Sequence, residues 1–467
     1  MAFGEVQFAL PRRELFRFPP RNDPFPLPPP AAGSSPAAPP FTIPANIFTA
    51  ALDVRVPITI AVVYAVTVVL LNRYNKSRGF KPWAISKTRP FFWFVVAHNI
   101  FLAVYSAWTF IGMLRTLQIT TARWSGPSGL AGTVDSLCKV HGIPDVGNAV
   151  VYDPHTSKWV PQNPSVRLTS AGTPDPMDLG RLWNEGLAFY GWIFYLSKFY
   201  EVLDTAIILA KGKKSSTLQT YHHAGAMMCM WTGIRYMSAP IWVFCFVNSA
   251  IHALMYTYYT LTAFSVYIPQ SLKRSLTTMQ ILQFVVGASY AAIHSFVYYT
   301  IPVQVSVLEP TLSSAASAAS TVISSAVSTA ATSTGVASAL KKFLFRAAGE
   351  EGLAENVNRS SANRYAAQLS IRGQTYHTEY QTIPCVDTSG QTFAVWLNVL
   401  YLTPLTWLFV RFFIRSYMRR AGPKKLSQGV QGMRLDVVEN AAEDALKGLQ
   451  REMLPKGNLN EKNTKRR

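Results

Sequence analysis

Chemistry in this chain is concentrated in four short stretches of otherwise apolar sequence. LQTYHHAGAM, residues 218–227, sets Gln219, His222 and His223 at i, i+3 and i+4, one face of a helix. NSAIHALMYTYY carries Asn248, His252, Met255, Tyr256 and Tyr259 along one helical stripe, with Tyr258 beside it. Upstream, LSKFYEVLDTAIILAKGKK repeats charge every three residues at Lys198, Glu201 and Asp204, so that the three stay within an arc of about 120°. Downstream, TTMQILQF puts Gln280 and Gln283 one turn apart. A neutral imidazole can act as a nucleophile or accept a proton. Amides and phenols can donate hydrogen bonds to an oxygen on which negative charge develops. His222, His223, His252 and Asn248 are therefore candidate catalytic residues. Lys198, Glu201, Asp204, Gln219, Tyr256, Tyr259, Gln280 and Gln283 are candidates for holding substrate. The bland alternative for Lys198, Glu201 and Asp204 is an ion network that pins helices together, and it carries equal weight. His98 and His294 stand alone in apolar runs and read as hydrogen-bonded packing residues.

These groups must be positioned inside a membrane. Hydrophobic residues make up 49% of the chain against 15% charged, which suits a protein solvated largely by lipid. Residues 90–114, PFFWFVVAHNIFLAVYSAWTFIGML, carry no formal charge and exceed the roughly 20 residues that a spanning helix needs. Spans are expected at about 48–71, 91–114, 183–210, 218–236, 240–266, 276–301 and 391–414. The fold class is therefore all-α, a polytopic membrane protein of seven helices around a cytosol-facing polar chamber and acyl tunnel. The formal charge of +20 collects beside apolar runs, in NRYNKSRGFKPWAISKTR, KGKK and RFFIRSYMRRAGPKK. That is the positive-inside pattern rather than a nucleic-acid footprint, and with a cytosolic C-terminus all the basic loops share one side.

The chain divides into a Pro-rich tail over 1–45, read as disordered, and a membrane domain over 46–301 with a lumenal loop at 115–182. A lumenal insertion follows over 302–390, opening on a Ser/Ala/Thr tract whose composition chooses between no structures. The seventh helix at 391–414 and a basic cytosolic tail at 415–467 complete it. Asn358 in NRS is a glycosylation triplet on the expected lumenal side. The four cysteines have no CxxC spacing, so neither a metal nor a redox motif is indicated. Cys229 and Cys245 read as core residues, and Cys138 and Cys385 fall in loops on one side, where a disulfide is allowed. No basic segment followed by an apolar core marks a cleaved leader at the N-terminus.

The four stretches resemble the motifs of the ELO family of very-long-chain fatty acid elongases. KFYEVLDT is similar to its KxxExxDT motif, QTYHH to its HxxHH box, NSAIHALMYTYY to NxxxHxxMYxYY and TTMQILQF to TxxQxxQF. The resemblance runs from about Ala97 and Asn99 to SGQTFAVWLNVLYLTPLTWLFV, omitting the proline-rich tail, most of the 115–182 loop and the Ser/Ala/Thr tract. It implies a seven-helix enzyme of the endoplasmic reticulum membrane that joins an acyl-CoA to malonyl-CoA. The products would be a 3-oxoacyl-CoA two carbons longer, CoA and carbon dioxide. A 3-oxoacyl-CoA synthase of this kind uses no cofactor and no metal, sits among membrane lipids, and works with the reductases and the dehydratase of the elongation cycle. Self-association is allowed. His222 is then the expected nucleophile or base, His252 its complement, and Lys198 with the nearby basic loop a holder of CoA phosphates. Gln219 departs from the family at the first box position: an amide can orient but cannot titrate or attack.

Two other classes compete with this one. A membrane di-iron desaturase or hydroxylase needs about as many clustered histidines as the whole chain contains, and Gln219 removes a ligand from the box. A non-enzymatic seven-helix transporter or receptor would use the same groups for gating or packing.

Overall fold

A computed structural model describes residues 5–35, 38–307 and 375–417. The long apolar runs form helices because lipid offers the backbone no hydrogen-bond partners and a helix satisfies its own. In chain order they are α1 (Ala45–Ala51), α2 (Arg55–Ser77), α3 (Arg89–Thr120), α4 (Gly129–Cys138), α5 (Ala188–Tyr200), α6 (Val202–Ala210), α7 (Thr217–Arg235), α8 (Ile241–Ala263), α9 (Gln270–His294) and α10 (Ser389–Tyr417). Two starts are capped: the Thr88 side chain accepts from Phe91 N at α3, and Ser216 accepts from Gln219 N at α7. Among the described residues, α2, α3, α8, the Ser275–His294 part of α9 and the Ser389–Arg411 part of α10 are long and apolar enough to cross a bilayer. The chain is a mostly helical, multi-pass membrane protein.

Several expected boundaries move. The first span begins only at Arg55, because α1 is a separate short helix. Residues 183–210 are not one rod: a π-helical turn at Trp183–Leu187 leads into α5, and the helix breaks at Glu201 before α6. The sixth helix stops at His294, and Val297–Val307 form a strand instead of its last turn. That segment, VYYTIPVQVSV, is rich in β-branched and aromatic residues, which favour a pleated backbone.

Helix α3 packs along α8, α9 along α10, and α7 against α2, α5 and α10. The central core joins Phe189, Trp192 and Tyr195 of α5 to Met230, Trp231 and Ile234 of α7, with Phe48 and Leu52 from the α1 region. The end of α1 is pinned there, since Trp192 Nε1 donates to Phe48 O, Tyr195 OH to Ala51 O and Trp231 Nε1 to Leu52 O. Those three bonds satisfy carbonyls that a helix C-terminus otherwise leaves without partners.

The N-terminal segment is a correction to the sequence reading. Residues 5–35 are packed on the helices rather than disordered: β1 (Val6–Phe8) pairs antiparallel with β4 (Val297–Val307), and Leu15 is buried. Trp183 Nε1 donates to Leu27 O, and Arg235 donates to Pro24 O. Proline lacks a donor but keeps its carbonyl, so a proline-rich chain can still be held by donors from the helices.

The 115–182 region is also ordered. Helix α4 is followed by the hairpin of β2 (Val150–Asp153) and β3 (Lys158–Pro161). Arg181 donates to Asp135 Oδ2 at 2.7 Å and to the carbonyls of Ile143, Lys139 and Asp145. A disulfide joins Cys138 to Cys385, and Lys139 Nζ pairs with Asp387. Residues 302–381 form a second unit, of which the described part is strand, continuing β4 and β5 (Thr375–Pro384). The Ser/Ala/Thr tract, Asn358 and the basic tail beyond 417 lie outside the described residues.

His141 gives this region a pH dependence. It is buried edge-on to Trp159 at 4.9 Å, and neither ring nitrogen has a hydrogen-bond partner. Burial, and then the Arg181 charge, push it from the ordinary histidine value of 6.5 down to about 3. A base with a depressed folded pKa binds its proton mainly in the unfolded chain, so stability is complete above pH 6.5 and falls progressively toward pH 3. Acid titration of tryptophan fluorescence should show that slope, and His141→Phe should flatten it.

Candidate active site

Five helices converge on a cavity of about 50 Å³, bounded at one end by Lys198, His222, Asn248 and Gln283. Its other walls include Phe194, Ala226, Met230, Val243 and Phe244. The arrangement follows from helical spacing. On α5, Phe194 lies one turn from Lys198; on α7, His222, Ala226 and Met230 occupy successive turns. On α5 and α7 a polar group at one level is thus followed by apolar groups at the next, while α10 adds Asn398, bonded to Cys229 O and Ala394 O, beside Met230.

The polar end is a connected network. Lys198 Nζ donates to Glu201 Oε1 at 2.6 Å and to Asn248 Oδ1 at 3.2 Å, and it lies 4.1 Å from the Phe194 ring centroid. Because an ammonium has no acceptor, the Asn248 oxygen must face it, which turns the Asn248 amide N–H toward Gln283 Oε1 at 3.4 Å. The donor relay therefore ends on the Gln283 amide, at the cavity wall. Glu201 Oε1 also lies 3.6 Å from His252 Nδ1, and Glu201 Oε2 is buried without a partner. His222 lines the cavity, while His252 approaches Glu201 and is not among the lining residues.

A second polar cluster adjoins the first through Tyr256, whose ring lies edge-on to His252 with centroids 5.7 Å apart. His98 Nε2 lies 2.8 Å from Asp204 Oδ1, Tyr256 OH donates to Asp204 Oδ2, and the His98 ring stacks on Tyr200. Lys198 and Asp204, six residues apart on either side of Glu201, face about 120° apart around the axis, so they meet different partners. His98, read as a packing residue, is the partner of that carboxylate. His294 does pack, its Nδ1 at 2.8 Å from Tyr290 O.

A π turn interrupts α8 at Phe244–Asn248. Its i→i+5 bonding shifts the phase of Asn248 and the helix after it relative to Ile241–Val243; Asn248 lines the cavity, and Tyr256 and Tyr259, two turns or more further along, do not. Gln280 donates to Met255 Sδ, also off the cavity wall. His223 sits edge-on to His222 with ring centroids 5.3 Å apart and faces Tyr64. Gln219 Nε2 donates to Thr205 Oγ1, which is also bonded to Tyr64 OH. The amide ties the start of α7 to α6 and α2 and is not on the cavity wall.

Tyr401 was not foreseen. Its OH donates to the His222 carbonyl at 2.8 Å, and its ring lines the cavity. The approach depends on Gly225: a Cβ there would stand 2.2 Å from Tyr401 Cε2. The polar spacing of Gln391, Asn398 and Tyr401 within an apolar run was the available signal. The tight group of metal-capable side chains among the described residues, Cys138, Cys385 and His294, lies at the disulfide, where the two sulfurs bond each other.

The family model described as ELO: GNS1/SUR4 family matches residues 49–425. The chain belongs to the ELO family. It is 31% identical over 123 residues to fatty acid elongase 2 of Trypanosoma brucei brucei, covering 26% of this chain and 45% of that protein. It is 37% identical over 105 residues to very long chain fatty acid elongase 3 of Homo sapiens, covering 22% and 39%. With fatty acid elongase A of Dictyostelium discoideum the identity is 29% over 196 residues, covering 42% and 54%. The chain thus spans about half the length, or less, of these curated relatives. The ELO match takes in α2 to α10 and starts after β1 and the proline-rich segment.

Proposed function

We propose that this protein is the condensing enzyme of fatty acid elongation, a very-long-chain 3-oxoacyl-CoA synthase. The carrying observation is the cavity in which His222 stands with Asn248 and Gln283, lined otherwise mainly by apolar side chains such as Phe194, Ala226 and Met230. His222 attacks the thioester carbon of an acyl-CoA, forming an acyl-imidazole and releasing CoA. Malonyl-CoA then loses carbon dioxide, and the resulting enolate carbon attacks the acyl group. That step forms the 3-oxoacyl-CoA and returns His222 free. Asn248 and Gln283 donate to the carbonyl oxygens, and Lys198 fixes Asn248 for that task. No step calls for a resident cofactor or metal.

In this reading α5–α6 and α7 complete seven spans, and the basic loops and tail face the cytosol of an endoplasmic reticulum membrane. The Cys138–Cys385 disulfide supports a lumenal position for residues 115–182 and for the start of α10. The reductases and dehydratase that process a 3-oxoacyl thioester would act next.

The test is incubation of the purified protein with labelled malonyl-CoA and a long-chain acyl-CoA: labelled 3-oxoacyl-CoA is expected, and its absence from active-folded protein would overturn the proposal. Met230 lies two turns from His222, about 12 Å along α7. Met230→Ala should deepen the cavity and extend the longest product by about one two-carbon cycle, and Met230→Trp should shorten it. Chromatography of the product acyl chains reads both.

A further inference from the structure

The segment LPRRELFRFPPRNDPF, Leu10 to Phe25, lies before the part of the chain that the ELO model matches. It presents large apolar groups to the outside: Leu10 is 84% exposed, Phe18 76% and Phe16 50%. Among them Arg12, Arg13, Arg17 and Arg21 are also exposed. Of the two acids in the segment, Asp23 faces the protein, accepting from Gly390 N and Ser389 Oγ, while Glu14 is exposed, 3.5 Å from the equally exposed His155. With four arginines against one outward carboxylate, the surface is net cationic and aromatic.

Its position on the helices says what it meets. Phe18 packs on Phe393 with ring centroids 5.4 Å apart, and Phe16 on Trp396 at 6.3 Å. These residues stand about 6 and 10 Å along the axis from Ser389, the first residue of the apolar stretch of α10. That stretch is 23 residues, about 35 Å against a hydrocarbon core of about 30 Å. With at most about 5 Å of that stretch outside the core, the two phenylalanines sit just inside the hydrocarbon boundary, in the outer acyl region. One turn further, Leu400 is 68% exposed and Trp407 continues the same outward stripe. Phe16 and Phe18 extend the lipid-facing surface of α10 to its end. Aromatic rings and arginines are the groups that such an interface accepts, rings among the glycerol and upper acyl carbons and guanidinium on phosphate.

We infer that Leu10–Phe25 is an interfacial anchor, with Leu10, Phe16 and Phe18 in the outer acyl region of a phospholipid leaflet and Arg12, Arg13, Arg17 and Arg21 on lipid phosphates. The partner is the bilayer itself, independent of the reaction at His222. The β1–β4 pairing and the Asp23 bonds hold the segment in place without lipid, so the anchor is preformed.

The test uses the full chain in vesicles of phosphatidylcholine, with and without phosphatidylglycerol. Cys229 and Cys245 are buried and the other two cysteines are bridged, so an added cysteine takes a nitroxide label selectively. Phe18→Cys reads the packed position. Leu10→Cys removes almost no packing and keeps the experiment meaningful if the first variant folds poorly. Leu400→Cys supplies the lipid reference. At both anchor positions oxygen is expected to relax the label about threefold more effectively than a water-soluble nickel chelate, as at the reference. Converting the four arginines to glutamine should lower that preference about twofold, more strongly with phosphatidylglycerol present. Free access of nickel at both positions overturns the anchor. Exclusion of both reagents also overturns it, because the segment would then be covered by protein. An unchanged preference in the arginine variant overturns the phosphate contact.

Discussion

Replacing His222 with alanine is expected to abolish formation of labelled 3-oxoacyl-CoA, by on the order of a thousandfold or more, while the protein stays folded and monodisperse. The magnitude follows from geometry: His222 is the imidazole that lines the cavity, beside Asn248 and Gln283. A nucleophile and a base predict different intermediates. With acyl-CoA alone, a nucleophilic His222 releases one equivalent of CoA and gains the acyl mass, and both signals vanish in His222→Ala. A base leaves the wild-type mass unchanged. Full activity in His222→Ala would remove the role altogether. His252, held 3.6 Å from Glu201 and away from the cavity wall, should be dispensable for the adduct and needed for turnover.

The second large effect is on stability. Glu201 and Lys198 are both buried, and their 2.6 Å contact is the centre of the polar network. Glu201→Leu leaves an ammonium in an apolar interior, and the expected loss is about 3–5 kcal/mol. Lys198→Met combined with Glu201→Leu removes both charges and should recover most of that loss. It should not recover activity, because Asn248 then lacks the donor that orients it. Chemical denaturation in detergent, paired with the condensation assay, separates the two roles. Equal stability of the single and double variants would show that the pair does not contribute as a pair.

Much of this protein is legible from spacing alone. Unbroken apolar length marks α3, α8 and α10 as membrane helices, and the steps among Gln219, His222 and His223 put them on one helix face. The motif order in turn identifies the family that the ELO match bears out. The type of each candidate residue was also a property of the sequence, since imidazoles can act as nucleophile or base and amides as hydrogen-bond donors.

Tertiary structure decided which of them meet. Packing of α3 and α8 around this segment gives Asp204 the partners His98 and Tyr256 and gives Lys198 the partner Asn248. The π turn before Ser249 rephases α8, and Gly225 lets Tyr401 reach the His222 carbonyl from a helix 179 residues away in sequence. The proline-rich segment looked unable to form a core, yet its carbonyls are held by Trp183 and Arg235 from distant helices. Cys138 and Cys385 are 247 residues apart and have no motif spacing, but their helix and strand ends meet. Local periodicity reports only how side chains are arranged around one axis. Where an axis bends, and which face another helix covers, follows from packing between residues far apart in the chain, which no short stretch of sequence contains.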